Sequence, residues 1–555
     1  MATGTQNPPR QVVGNVVDIV GRRTFAAEVT VSGGRIAAIS PWTGARAENG
    51  PKTFLLPGFI DSHVHIESSM LVPTEFARAA VVHGTVAAVS DPHEIGNVLG
   101  VVGVHYMLEN ASHTPFKFYF GAPSCVPATT FETSGATITT AEVVELLDDP
   151  RIVYLSEMMN FPGVLQGDEA CLAKIEAAHD RGKPVDGHAP GLRGKEAARY
   201  IAAGITTDHE CFSKAEALDK LAAGCKISIR EGSAARNFDA LYSLLGEYPL
   251  QTMLCSDDKH PDELLTGHIN KLARRAVAQG VNVFDVLQAA CLNPIAHYNL
   301  DVGQLRVGDP ADFIEADSLS EFNVMRTWIG GQLVADRGVS TLRREPPEVI
   351  NQFVATHVRA GQLEVEQTPG ALQVIEALDG QLITNRIELE PKVVAGKIVS
   401  DIGHDALKLV VVNRYHAAPP AIAFIKNFNL QRGAIASSVA HDSHNVVAVG
   451  VTDDDLAAAI NAVMVANGGL SAVCQDDNIK LTLPLPIAGL MATGSCPEVA
   501  AAYERLDTAV KNWGSKLRAP YMTLSFMALL VIPDLKLSDF GLFDGKKFEF
   551  SPLLA

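Results

Sequence analysis

Between Leu55 and Asp258 the chain repeats one pattern eight times: a short apolar run ends in a polar residue. The runs are Phe54–Asp61, Val86–Asp91, Phe116–Gly121, Arg151–Glu157, Lys183–His188, Ile205–His209, Lys226–Glu231 and Gln251–Asp257. Most are followed by a helical stretch, as in Pro73–His83, Ala141–Leu147, Glu169–Arg181, Leu192–Ala202, Ala215–Ala222, Phe238–Leu245 and Glu263–Gln279. Eight strand–helix units over roughly 240 residues predict a (β/α)8 barrel, whose usual length is ~250 residues. A doubly wound open sheet is the rival, but it would leave most of the polar endings far apart. In a barrel all eight strand C-termini converge on one mouth, where such folds keep their chemistry.

At 555 residues the chain is too long for one core. Gln11–Pro41 alternates β-rich stretches with Gly pairs, and the same texture returns over Gly303–Val339. Two such fragments flanking an insertion predict one small β-domain, β-sandwich-like, built from residues 1–55 and 300–345. The barrel then occupies 56–299. From 346 to 555 the runs Val393–Val399, Leu407–Val412, Ala421–Phe424 and Val446–Val451 and the helix Asp454–Asn467 predict an added C-terminal α+β domain. The fold class is α/β.

The formal charge of −18 repels polyanions, and no dense Lys/Arg cluster interleaves with aromatics, which argues against a nucleic-acid partner. Residues Met1–Gly14 are polar, without a signal-peptide layout, and no apolar run reaches the ~20 residues of a membrane span. The eight cysteines are scattered with no C-x-x-C pair, as expected of reduced thiols in a cytoplasmic protein.

The strand endings carry the chemistry. His63 and His65 sit two apart, so both imidazoles leave one face of a strand. The later endings supply Asp91-Pro92-His93-Glu94, Glu157, His188, His209 and Asp257-Asp258. One histidine at a strand end is commonly structural. Four histidines and two carboxylates at convergent ends predict a metal site. His63, His65 and Asp257 can hold one ion, His188 and His209 a second, with Glu157 bridging through its two oxygens; a buried salt bridge is the plainer role for Glu157. Such a binuclear centre activates water and polarises an electrophile. Mixed imidazole and carboxylate donors suit Zn, Mn or Fe(II), not Ca or Mg.

The segment Pro57–His65 resembles the signature of the amidohydrolase superfamily, as do His188, His209, Asp257 and the split β-domain. Many binuclear members carry a carboxylated lysine after strand four; here Glu157 stands there, with no lysine between Arg151 and Glu169. Ile66–Met70, Asp91–Ile95, Pro123–Ala128, Ser156–Asn160, Ile229–Ala235 and Ala440–Asn445, taken in this order, resemble the bacterial adenine deaminase family over nearly the whole chain. The resemblance implies hydrolysis of free adenine to hypoxanthine and ammonia, with two divalent ions, Mn or Fe(II) ahead of Zn. With base rates of assembly, it also points to a homodimer.

For that reaction Asp257 is the candidate ligand and proton shuttle. Asp258 contacts the purine or caps the next turn. Asp91 is a second acid/base, a purine contact or a helix cap, and His93 and Glu94 orient ligands or reach substrate. Arg230 donates to the purine or forms a structural salt bridge. The Asp91–Glu94 and Arg230–Asn237 loops are candidates for reading the imidazole edge. His441-Asp442-Ser443-His444 reads as a polar network, a second metal site or a flap over the barrel mouth. The rival activities are a cyclic amidase or dipeptidase of the same superfamily. A barrel that has lost catalysis is disfavoured, because all six ligand positions hold competent residues.

Overall fold

A computed structural model describes residues 10–43 and 51–555, so part of the polar N-terminal stretch, residues 1–9, lies outside the described residues. The expected barrel is present. Its strands are β1 (Phe59–Val64), β2 (Thr85–Ser90), β3 (Lys117–Ala122), β4 (Ile152–Met158), β5 (Val185–Gly187), β6 (Thr207–Asp208), β7 (Lys226–Arg230) and β8 (Thr252–Cys255). They pair in sequence order and in parallel. Val64 bridges to Asp257, and the Asp257 amide donates to the His63 carbonyl at 3.0 Å, which brings the eighth strand back to the first.

Several boundaries differ from the sequence expectation. The first run is not one barrel strand but breaks at Gly58. Phe54–Pro57 pairs antiparallel with Phe313–Ala316 and parallel with Arg10–Asp18, whereas Phe59 onward enters the barrel. Gly58 lies against Val86, and a Cβ there would overlap that side chain; the turn between the two sheets therefore requires glycine. Strands β5 and β6 are shorter than their apolar runs, which leaves His188 and His209 just past the last paired residue. Glu263–Gln279 splits at Gly267 into Pro261–Thr266 and Ile269–Ala278, and Phe238–Leu245 becomes two short turns. Two helices after β2, His93–Leu99 and Val101–Ala111, went unread because their buried Gly, Asn and Glu residues blur the apolar stripe.

Both flanks build one eight-stranded sheet. Its order runs Val339–Ser340, Gln332–Asp336, Val324–Ile329, Phe313–Ala316, Phe54–Pro57, Arg10–Asp18, Arg23–Ser32, Arg35–Pro41. A second eight-stranded sheet lies in the C-terminal region, from Thr384–Leu389 at one edge to Ile479–Pro484 at the other. The helix Asp453–Val465 covers one face, with Leu456, Ile460 and Val463 packed on Val410, Ala436 and Ala448. The other face belongs to an apolar cluster that also holds Ile60, Val64 and Phe76 of the barrel, so barrel and C-terminal region share a core. The expected Val393–Val399 strand is instead a tight hairpin of Val393–Val394 with Lys397–Ile398, turned at Ala395-Gly396. No helix among the described residues is long and apolar enough to cross a membrane.

Candidate metal centre

All six predicted ligands are buried and meet at the C-terminal mouth of the barrel. The alternation of β1 sends His63 and His65 to one side, as their spacing requires, and their Nε2 atoms face each other at 3.2 Å. Asp257 Oδ1 lies 3.6 Å from the first and 3.4 Å from the second. Glu157, at the end of β4, places Oε2 at 3.7 Å from His63 Nε2 and Oε1 at 3.6 Å from His65 Nε2. The same Oε2 is 3.0 Å from His188 Nδ1 and 3.0 Å from His209 Nε2. Glu157 therefore stands between a His63–His65–Asp257 group and a His188–His209 group.

The donor set fits divalent cations. The His65 Nδ1 is 3.2 Å from the Asp91 carbonyl, which can only accept, so Nδ1 carries the proton and Nε2 presents a lone pair. Ligands ~2.1 Å from a tetrahedral ion are separated by about 3.4 Å, close to the His63–His65–Asp257 spacings. The site also has surplus negative charge. Burial opposes protonation of His65 and His188, yet Asp257 and Asp258 draw the first well above the ordinary imidazole range, and Glu210 and Glu157 draw the second up to about 9. Burial likewise opposes ionisation of Glu157, but His188 and His209 hold it well below the usual carboxylate range. Such a cluster needs protons or cations to be neutral. A divalent metal centre meets that need, and the side chains that would hold it are in place.

Framework contacts fix these positions. Asp61 accepts from the Ser256 amide at 2.9 Å and sits 2.8 Å from His268 Nε2, which locks β1 to β8 beneath Asp257. Asp257 Oδ2 accepts from Arg230 Nη1 at 2.6 Å, leaving Oδ1 toward the histidines. The remaining Arg230 nitrogen–carboxylate contacts go to Glu210, so its guanidinium is already engaged by two carboxylates. Asp258 Oδ1 accepts from Ser68 Oγ at 2.5 Å. Asp91 Oδ1 accepts from the His93 amide at 3.1 Å, at the start of the helix His93–Leu99, and its Oδ2 lies 3.1 Å from His93 Nδ1. Asp91 thus supports His93 and does not line the cavity, whereas His93, Arg230 and Asp258 do.

The sequence reading missed Glu210, whose Oε1 lies 3.5 Å from both His188 and His209. Its position beside His209 at a strand end was the available signal. Of the roof the sequence reading offered only the His441–His444 loop, as a flap over the barrel mouth, and missed Leu382, Phe526 and Leu529. Over the metal-binding residues is a small cavity, lined from the C-terminal region by Leu382, His441, Asp442, Phe526 and Leu529. Glu94 ties this roof to the barrel: His441 Nδ1 is 2.5 Å from its Oε1, and His444 Nε2 contacts its Oε2. These are hydrogen-bond lengths, shorter than the edge between two ligands of one ion. Of the three readings of the His441–His444 loop, the geometry is that of a polar network within a roof.

Comparison with known proteins agrees in each region. The amidohydrolase family model matches residues 54–334, and the adenine deaminase C-terminal domain model matches 381–549. An adenine deaminase of Salinibacter ruber is 55% identical over 541 residues, 97% of this chain and 98% of the relative. One from Sulfurovum sp. is 52% identical over 97% of this chain and 98% of its own length. One from Borreliella burgdorferi is 43% identical over 97% and 99%. Identity of this order over both the metal-binding barrel and its roof shows that the chain belongs to the adenine deaminase family of the amidohydrolases.

Proposed function

We propose that the chain hydrolyses adenine to hypoxanthine and ammonia on two divalent ions, Mn or Fe(II) ahead of Zn. The observation that carries this reading is Glu157, set between two groups of imidazoles beneath a cavity that the C-terminal region roofs. Bound divalent cations would activate water and polarise the C6–N1 system for attack.

The protein groups then divide the work. His63, His65 and Asp257 would hold one cation, His188 and His209 the other, with Glu157 available to both. Asp257 also moves the proton: burial raises its carboxyl, but Arg230, His63 and His65 hold it well below the usual range. It is therefore ionised, with Oδ1 at the reacting side, ready to accept a proton and deliver it to the departing amine. Arg230 acts through Asp257 by fixing the other oxygen. Asp258 and His93 line the cavity and contact the base, with Asp91 setting the His93 ring. The roof keeps bulk water from the reacting carbon. We place the enzyme in the cytoplasm, since all eight cysteines are buried and unpaired, and read it as a homodimer, the commonest closed assembly.

The test is a panel of kcat/KM values for adenine, adenosine, guanine, cytosine and dihydroorotate on the Mn-loaded protein, with metal titration of the apoprotein. Adenine should exceed adenosine by at least ~10²-fold, and activity should rise until two equivalents are bound. A preference for dihydroorotate would move the chain to the cyclic amidases. Full activity at one equivalent would remove the second ion from the reading.

A further inference from the structure

The polar groups around the cavity are nearly all engaged with each other. Arg230 is held by Glu210 and Asp257, Asp258 by Ser68, and Glu94 by His441 and His444. Asp442 is different. It is 2% exposed, it lines the cavity, and its Oδ2 has no hydrogen-bond partner among the described residues. Its Oδ1 approaches His93 Nε2 only to 3.9 Å, beyond hydrogen-bond reach. Beside it His441 lies flat on Phe526, ring centroids 4.5 Å apart, with Nε2 also unpartnered.

A buried carboxylate oxygen without a donor is unfavourable, and a ligand N–H supplies the missing donor. Adenine has two kinds of N–H. The 6-amino group is on the reacting carbon and must face the metal-binding side. The other is on N9, which lies on the second ring, away from C6. Asp442 comes from the roof, and only N9–H remains for it. We infer that Asp442 accepts a hydrogen bond from the N9–H of the substrate and is the residue that selects a free base over a 9-substituted one. This rests on the adenine reading above, and it assigns free-base selectivity to the C-terminal region and not to the barrel loops.

The experiment compares hypoxanthine with 9-methylhypoxanthine as ligands, by calorimetric Kd, and adenine with 9-methyladenine as substrates, by kcat/KM. Wild type, Asp442→Ala and Asp442→Asn are measured with Tm and metal content as controls. In wild type the N9–H ligands should be favoured by at least ~10-fold, the weight of one hydrogen bond to a buried charge. Asp442→Ala should bring both ratios to within about threefold, through the N9–H compounds losing affinity. Asp442→Asn, which keeps an acceptor without the charge, should fall between. Equal wild-type affinity for the two hypoxanthines would overturn the inference without any variant, so a misfolded Asp442→Ala does not shelter it. A ratio kept in Asp442→Ala would overturn it as well, as would parallel weakening of both ligands. If wild type fails to turn over adenine at all, the adenine reading falls first; if it turns adenine over but shows no N9–H preference, or keeps that preference in Asp442→Ala, only the role of Asp442 is lost.

Discussion

The floor of the cavity consists of strand ends, each fixed by its barrel neighbours, whereas the roof is a loop between Ala434–Ser437 and Val446–Gly450 plus the turn Phe526–Ala528. Their polar groups are arranged on opposite principles. On the floor, His63 Nε2, His65 Nε2 and Asp257 Oδ1 point at one another at 3.2–3.6 Å. With the His65 proton on Nδ1, its Nε2 and the Asp257 oxygen both present lone pairs. In the roof, donors and acceptors alternate, with two imidazoles on the two oxygens of Glu94. The same residue types thus form a cluster suited to a cation in one place and a hydrogen-bonded network around Glu94 in the other. Spacing decides which.

The largest effect should come from the floor. Asp257→Asn removes an anionic ligand and the proton shuttle together. General acid–base loss alone is worth ~10²–10⁴-fold in kcat, and metal content should drop with it. Asp258→Asn should act through KM instead, because Asp258 lines the cavity and gives its Oδ1 to Ser68 and not to the His63–His65 pair. Steady-state kinetics with metal analysis on both variants decides this; the reverse pattern would mean the neighbouring aspartates have been assigned the wrong way round.

The link between floor and roof comes next. Glu94→Gln leaves one imidazole facing an amide N–H₂, and the loss of a charged acceptor should cost about 1.5–3 kcal/mol of stability. KM should rise with two metal equivalents still bound. Loss of metal from this variant would place Glu94 on the floor and erase the distinction drawn above.

The contrast also explains what could be read without coordinates. The floor was legible because a barrel converts sequence order into position: eight polar endings become one ring, whatever the strand lengths. That is why His188 and His209 were found although β5 and β6 pair over only three and two residues. The break at Gly58 was not legible, because Leu55–Ile60 is apolar on both sides of it and a continuous apolar run carries no period to interrupt. The roof was only half legible. His441–His444 stood out by composition, but Leu382, Phe526 and Leu529 are ordinary apolar residues far along the chain from the floor. Nothing local tells a residue on a cavity wall from one in a core.

The smallest effect concerns what holds those apolar walls. Lys536 is buried, and its Nζ donates to the carbonyls of Leu382 at 2.6 Å and Phe526 at 2.9 Å, tying two roof residues together. Burial pushes its pKa down to about 7, with Asp534 pulling the other way; an ordinary lysine titrates near ~10.4. Between about pH 7 and pH 10 the unfolded chain therefore keeps a proton that the folded chain has released. The unfolded state binds more protons, so stability rises with pH across this window, by up to about 1.4 kcal/mol per unit from this one group. Below pH 7 both states are charged and the dependence vanishes. Lys536→Met loses both hydrogen bonds at every pH but cannot contribute this slope. Urea unfolding of the two proteins at pH 7, 8 and 9 should give a stability difference that grows with pH in favour of wild type. A constant difference would show that Lys536 stays charged in the folded roof, its ammonium solvated by the two carbonyls. The roof would then resemble the floor in being built around a buried charge.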